Sequence, residues 1–514
     1  MDFKKITTQN KTKIIATIGP ATVASDKILQ EFIQDTDIFR LNFKHNTPQW
    51  HIQTILKTQE LAAQMEVLGP AIMLDLQGPS IRVVLAKDSI QIKKDELYEV
   101  VDDPKNDKQI GFTYPGLAKI LKTDDIIYAD NGIFKFIVQK RRGKTYLLAQ
   151  NTGVLLTKKS ANLPNIYQKL DLDVLTDRDK LGIRIGLRHG VNLFAVSFVR
   201  NAQDITYVRE QIELAIKELN LDLPQYSKPA IVTKIETLEA INNLDEVVAA
   251  SDIVMVARGD LAIEAGLYKL PTYQVQITNA CQKHKKPVII ATQLLQSMTR
   301  NPIPTRAEII DVFYAVQSRA DAIMLSEETA IGKYPTLVIN TAKKILQNAE
   351  DLLMEQYLYH APQYYTQWPS PDLPADFSLP AMSDQASLDI EDFTYNTALS
   401  AYFMYLQHKA HAKMFLVFTK TGKKAIFLSK LRPDIPVYAL VPNRFQYNKL
   451  KGVFNVYPYI YKNVNYENVQ NSHLEVAIKH LAQKRVVLPK QQIITVYTQT
   501  FLGKKSQIVR LINV

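Results

Sequence analysis

A chain of 514 residues, 46% apolar and 22% charged, is too long for one core and too mixed in composition to be fibrous or disordered. One cysteine, Cys281, excludes a disulfide framework and a Cys-built metal cage. No apolar run approaches the ~18 residues of a membrane span, and the start MDFKKITTQN lacks the core of a signal peptide, so a cytoplasmic protein without a membrane partner is expected. The net charge of +11 is scattered rather than gathered on one patch, which reads first as solvated surface and second as attraction of anions, for which phosphorylated small molecules serve as well as RNA, and no specific nucleic-acid partner is expected.

In chain order, the first three elements are near-continuous apolar strands: KIIATIG (13–19), IFRLNF (38–43) and AIMLDL (71–76), each followed by a helical pattern. Between Arg82 and about Asn165 the pattern changes to short β-like stretches with turns, such as IIYADNGIFKFIVQ and KTYLLAQNTGVLL. The strand–helix rhythm then resumes with LFAVSF (193–198), AIVTKIE (230–236), IVMVARG (253–259), PVIIAT (287–292) and AIMLSEE (322–328). Eight such units predict an α/β fold, a closed (β/α)8 TIM barrel interrupted by a small β domain. The barrel is expected over 1–82 and 166–352, with the insert over 83–165. A Pro-rich linker is expected at 361–380 (APQYYTQWPSPDLPADFSLP) within a C-terminal α/β domain, 353–514. That domain should hold a helix over about 384–410 and strands at MFLVFT (414–419), PVYALV (436–441) and QQIITVYT (491–498).

Barrel enzymes build their sites from the C-terminal ends of the strands. Those ends here carry Arg40, Asn42, Lys44, His45, Asp75, Arg82, Ser197, Lys234, Glu236, Arg258, Asp260, Thr292, Ser326 and Glu328, few of them apolar. Lys234 and Glu236 are two apart on a strand and face the same side. Glu236 and Asp260, with no His or Cys beside them, suit Mg2+ or Mn2+ retaining several waters. Lys234 can neutralise charge developing on a substrate oxygen, and the fork of Arg40 matches a phosphoryl group. The bland alternatives are a structural Lys234–Glu236 ion pair, an Arg40 capping the barrel rim, a Thr292 that only fills a strand, and a Ser326–Glu328 pair that ties the barrel closed. No P-loop and no GxGxxG occurs. The distal FTKTGKKA (418–425) combines a strand, a Gly-containing turn and a helix start, so Thr419, Lys420, Thr421, Gly422, Lys423 and Lys424 form a candidate anion nest; an ordinary capped helix with solvated lysines is the alternative.

Taken together, TKIIATIGPAT, FRLNFKH, LDLQGPSIR, TKIETLEAINNLDEVVAASDIVMVARGDLAIE, KPVIIATQLLQSM, NPIPTRAEIIDV and ADAIMLSEETAIGKYP resemble the pyruvate kinase family, in order and spacing over nearly the whole chain. The resemblance implies phosphoryl transfer from phosphoenolpyruvate to ADP, giving pyruvate and ATP, with the insert a small β-barrel lid and the chain a homotetramer. By position, Glu236 and Asp260 would bind Mg2+, and Lys234 would stabilise the transferring phosphoryl group. The Gly259 and Asp260 amides with Thr292 would hold the substrate carboxylate. Arg40 would clamp phosphate; Asn42, His45, Arg82 and Lys159 would face the nucleotide; Thr292 and Ser326 would lie near the proton path. The nest at 419–424 resembles a sugar-phosphate effector loop, its partner QTFLGKKSQ (499–507) being short and unfamiliar.

The departures are informative. In the monovalent-cation site implied by the family, Asn42 and Asp75 remain, while Lys44 and Leu76 replace a Ser and a Thr, and Gln77 and Ser80 replace a Lys and a Glu. Glycines of the family's motifs are replaced by Asn46, Ala262 and Glu327. Lys44 is expected near Asn42 and Asp75, its ammonium doing the work of K+, so that K+ is not required; a Lys44 turned to solvent with the site lost is the alternative. A non-catalytic homologue that binds phosphorylated metabolites, and another Mg2+-dependent enolate-forming barrel enzyme, are the rival functions.

Overall fold

The computed structural model describes residues 10–164, 166, 170, 172–224, 226–365, 390–409, 411–462, 464–501 and 504–514. Eight parallel strands close into a barrel: β1 (Lys13–Thr17), β2 (Ile38–Asn42), β3 (Ala71–Asp75), β4 (Leu193–Val196), β5 (Ala230–Ile235), β6 (Ile253–Ala257), β7 (Val288–Ala291) and β8 (Ala322–Leu325). All eight expected apolar runs became these strands. Alternation divides their side chains between two cores. Ile15, Met73, Val232, Met255, Ile289 and Met324 fill the barrel interior, while Ala16, Leu74, Phe194, Val254, Ile290 and Leu325 pack outward against the helices. With both faces covered, nearly every strand residue is buried, and each large one contributes about 1.5–3 kcal/mol.

Between β3 and β4 the chain builds a separate closed barrel of seven short strands, from Ile81–Val84 to Ser160–Asn162, around its own core of Tyr98, Phe134, Phe136 and Leu147. A two-stranded antiparallel sheet, Ser89–Ile92 with Gly153–Leu156, completes the insert.

The C-terminal domain is a five-stranded sheet of β9 (Ala412–Phe418), β10 (Val437–Val441), β11 (Val456–Ile460), β12 (Gln492–Phe501) and β13 (Lys504–Asn513), in the order β11-β10-β9-β12-β13. Two corrections follow. The long helix Pro335–Tyr365 runs five residues into the segment expected as linker from 361, carried by its preceding turns past Pro362; the rest of 361–380 lies outside the described residues. In the segment 499–507, the described residues 499–501 and 504–507 lie in paired antiparallel strands, β12 pairing with β13 from Phe501↔Lys504 to Gln492↔Asn513. β11 and β13 gave no sequence signal because both are edges. Pro458 is tolerated in an edge strand, and β13, half polar, covers one face only.

Candidate active site

The parallel barrel brings eight strand ends to one rim, and the expected charges meet there. Asp75, at the end of β3, is the hub. Arg40, one strand away on β2, donates to its Oδ2 through Nε at 2.8 Å and Nη2 at 2.6 Å, and through Nη1 to the Thr17 hydroxyl at 3.2 Å. Lys234 Nζ, on β5, stands 3.3 Å from Asp75 Oδ1 and 3.3 Å from Glu236 Oε2, and donates to Ser197 Oγ at 2.7 Å. Glu236 is buried; its Oε1 accepts the Phe198 N–H at 2.8 Å while Oε2 has no hydrogen bond. Burial pushes the Glu236 carboxyl up to about 7, against the pull of Lys234. Burial pulls the Lys234 ammonium down, but Asp75 and Glu236 together outweigh it and keep Lys234 charged.

β6 runs directly into helix α1 (Arg258–Ala265), whose first turn carries Gly259 and Asp260. Asp260 lies in the field of Glu236, Lys234 and Lys44. The Gly259 N–H donates to Thr292 Oγ1 at 3.1 Å, so these two expected carboxylate binders face each other across β6 and β7. Thr292 has φ +70°, a left-handed conformation costly for a β-branched residue. It is pinned there by that bond and by Arg258 Nη2, which donates to its carbonyl at 2.6 Å. Past β8, Glu328 is fully buried and accepts the Ser326 N–H at 2.7 Å and the Leu295 N–H at 3.2 Å. Glu328 therefore ties two rim loops together, whereas Ser326 Oγ is buried without a hydrogen-bond partner.

The nucleotide-side candidates lie on the outer part of the rim and on the insert. Arg82, on the first inserted strand, donates to the Lys158 carbonyl at 2.8 Å, and Lys159 pairs with Asp130 at 2.9 Å. His45 is exposed; partial burial and its neighbours Lys44, Arg40 and Arg82 lower its basicity.

Lys44 is not where it was expected. Only its backbone N–H reaches Asn42 Oδ1, at 3.3 Å, and Asp75 is already held by Arg40 and Lys234. Partial burial lowers the Lys44 ammonium, and Asp260 and then Glu236 are the anions that act on it; among the described residues no carboxylate oxygen lies within 4.0 Å of it. Leu76 points away from the site into the outer core: a methyl on Gly182 would meet its Cδ2 at 3.4 Å. The replaced glycines are explained locally. Asn46 keeps a left-handed φ of 58°, which Asn tolerates; Ala262 lies inside α1; the Glu327 carboxylate accepts Gln296 Nε2 at 2.8 Å.

Three participants were missed. Thr17 ends β1 as Arg40 lies near the end of β2, so the strand-end rule would have found it. Ser197 was named as a strand end but not as the acceptor from Lys234. Asp179 is fully buried and accepts the N–H groups of Gln77 at 2.6 Å and Gly78 at 3.1 Å, where the chain leaves the barrel for the insert. Its sequence signal is the T-x-x-D capping box of Thr176 and Asp179.

The distal nest is largely self-satisfied. Gly422 N–H donates to Thr419 Oγ1 at 3.0 Å, and Lys420 pairs with Glu467, which also binds Lys505 at 2.8 Å. Lys424 is corrected: its ammonium turns inward, donating to Thr498 Oγ1 at 2.6 Å, and burial lowers it to about 8. Thr421 and Lys423 remain on the exposed side of the turn.

Family models match two stretches: "Pyruvate kinase, barrel domain" over residues 9–339 and "Pyruvate kinase, alpha/beta domain" over 397–508. A pyruvate kinase of Geobacillus stearothermophilus is 32% identical, covering 91% of this chain and 74% of the relative. One of Chlamydia muridarum is 33% identical over 87% of each chain. The crystal structure of a pyruvate kinase from Cryptosporidium parvum superposes with a TM-score of 0.84 at 26% identity, covering 99% of this chain and 97% of that one.

Proposed function

This chain belongs to the pyruvate kinase family, and from that premise we propose that the Arg40–Asp75–Lys234–Glu236 rim transfers the phosphoryl group of phosphoenolpyruvate to ADP. The observation that carries the reading is the convergence of two cations, Arg40 and Lys234, on the buried carboxylates of Asp75 and Glu236 at the strand ends. Arg40 and Lys234 receive the phosphoryl oxygens, and Lys234 also faces the enolate oxygen as it forms; phosphoryl transfer needs this positioning and charge neutralisation more than covalent chemistry. Glu236 Oε2, which faces Lys234 at 3.3 Å and accepts no hydrogen bond among the described residues, fits a hard divalent cation together with Asp260. Held by Glu236 and Asp260, Mg2+ would supply positive charge against the negative charge developing in the reaction and would favour the ionised form of Glu236. Thr292 and the first-turn amides of α1 orient the substrate carboxylate, and Ser326 and Thr292 border the enolate carbon to be protonated. Asn42, His45, Arg82 and Lys159 line the side open to ADP, and the inserted barrel closes over it.

The monovalent-ion reading is kept in altered form. Lys44 supplies a fixed charge to the Asp260–Glu236 side of the rim, while Arg40 and Lys234 occupy Asp75, and the reaction proceeds without K+. The test is a coupled assay of pyruvate formation with Mg2+, in K+ and K+-free buffer, on wild type and Lys44→Ser. Equal wild-type turnover in both buffers, and a Lys44→Ser variant that needs K+, are expected. A many-fold rise of wild-type turnover with K+ sinks the tethered-cation idea; no turnover at all sinks the kinase reading and leaves the binding-only homologue.

The assembly is a homotetramer working in the cytoplasm, where the fully buried thiol of Cys281 stays reduced. Two features support the oligomer: exposed Leu267, Tyr268, Ile303 and Ile310 on neighbouring barrel segments, and the open edge of β13. A phosphorylated effector would enter the 419–424 turn only by displacing Glu467 from Lys420.

A further inference from the structure

Three barrel strands begin directly after an aspartate: Asp37 before β2, Asp252 before β6 and Asp321 before β8. Each carboxylate caps the first turn of sheet beside it, accepting an N–H from Ile14 at 3.0 Å, Ile231 at 3.1 Å or Val288 at 2.8 Å. Each also takes a lysine from the C-terminal domain: Lys451 to Asp37 at 3.2 Å, Lys449 to Asp252 at 3.2 Å, and Lys430 to Asp321 at 2.6 Å. Lys430 is the last residue of helix α2 (Lys423–Lys430); Lys449 lies in the last turn of helix α3 (Arg444–Leu450), with Lys451 as its C-cap. Helix C-termini are the negative ends of the helix dipole and favour cations, so both helices end in lysines that meet the barrel floor.

The far ends of the same strands carry the chemistry. β2 leads to Arg40 and Asn42, β6 to Gly259 and Asp260, and β8 to Ser326. Each strand is only four or five residues long and hydrogen-bonded on both sides, so it transmits a displacement of its start to its end. A contact needed only for adhesion would be apolar, because a buried ion pair gains little over a well-packed hydrophobic one; what a buried pair does well is resist separation, which would strand a charge.

We propose that Lys430, Lys449 and Lys451 are positioning residues for the active site: they register the C-terminal domain on the barrel floor through the starts of the strands that carry the phosphate clamp, the metal carboxylate and the proton-path serine. This rests on the kinase reading above. It makes a strand-specific forecast. Lys451→Met, acting through β2, raises the KM for phosphoenolpyruvate; Lys449→Met, acting through β6, raises the Mg2+ concentration needed for half-maximal rate; Lys430→Met, acting through β8, lowers kcat.

Each change is expected to be roughly 3- to 30-fold, the range of indirect coupling, with Lys449→Met mildest because Arg209 also holds Asp252 at 3.1 Å, closer than the second cation at Asp321, Arg432 at 3.7 Å. Lys→Arg at the same positions should restore the constants. Circular dichroism and thermal melts confine the comparison to folded protein, and calorimetric titration of Mg2+ and phosphoenolpyruvate reads the same split without turnover. Folded variants with wild-type constants, or one uniform loss in all three, overturn the proposal. Absent wild-type turnover overturns the kinase reading instead. Should Lys430→Met, the most buried, fail to fold, the contrast between Lys451→Met and Lys449→Met decides alone.

Discussion

At the scale of single residues, the site spends stability on geometry. Lys234 is a buried ammonium held between two carboxylates and a hydroxyl, and Thr292 holds a φ of +70° that costs on the order of 1–3 kcal/mol. Both are explained if the rim is pre-shaped for a substrate that brings negative charge. Lys234→Met should therefore leave the fold intact by circular dichroism yet lower kcat by roughly 10²–10³-fold or more, the usual loss of one charge-stabilising donor. Retained turnover would remove Lys234 from the phosphoryl path. The residue types of this rim were legible because strand-end position and chemistry coincide. Lys44 was not legible in the same way: its number along the chain places it beside Asn42, but Arg40 and Lys234 already claim Asp75, and the Lys44 side chain is exposed, with Asp260 the anion that acts on it most.

At the scale of elements, two devices join parts that the apolar pattern treats as separate. Asp179, at the start of the helix Asp177–Arg188, holds the departing chain at Gln77 and Gly78. Gly78 has φ +68°, and a side chain there would press on Ser197 and Phe198 at 2.9 Å, so this exit admits little variation. Asp179→Ala strands two buried N–H groups at about 1–3 kcal/mol each, and a urea melt should show that loss while Asp179→Asn keeps part of it.

The second device is Lys424, which crosses from the turn after β9 to Thr498 on β12 without an acidic partner. Burial lowers it to about 8, whereas the unfolded lysine titrates near ~10.4. Between those values the unfolded chain binds the extra proton, so stability rises with pH through that window; below about 8 the folded state bears the full cost of a buried charge. Lys424→Met should be more stable than wild type at pH 7 by up to about 3 kcal/mol, and the gap should close above roughly pH 10. A gap that is constant with pH would mean that Lys424 is not titrating as a buried amine.

At the scale of the whole molecule, the exposed apolar side chains include Leu267, Tyr268, Ile303 and Ile310, and β13 leaves one edge of its sheet free. Light scattering on the intact chain should give a tetramer's mass, and Tyr268→Glu with Ile310→Glu should lower it by breaking one interface. A monomer in the wild type would leave those apolar side chains without the partner they imply.

The amino-acid order by itself determined the barrel, since eight continuous apolar runs at helix-length spacing have only one economical closure, and closure of parallel strands determines which residues meet at the rim. It also determined the chemistry of that rim through Arg40, Lys234, Glu236 and Asp260. The edge strands β11 and β13 were decided only in three dimensions, because an edge is half solvated and its sequence carries little alternation. So were the direction of Lys44 and Lys424 and the three Asp–Lys contacts under the barrel. A long side chain can point several ways from one position, and which carboxylate it meets depends on residues as much as 414 places distant, such as Lys451 on Asp37, that only packing brings within reach.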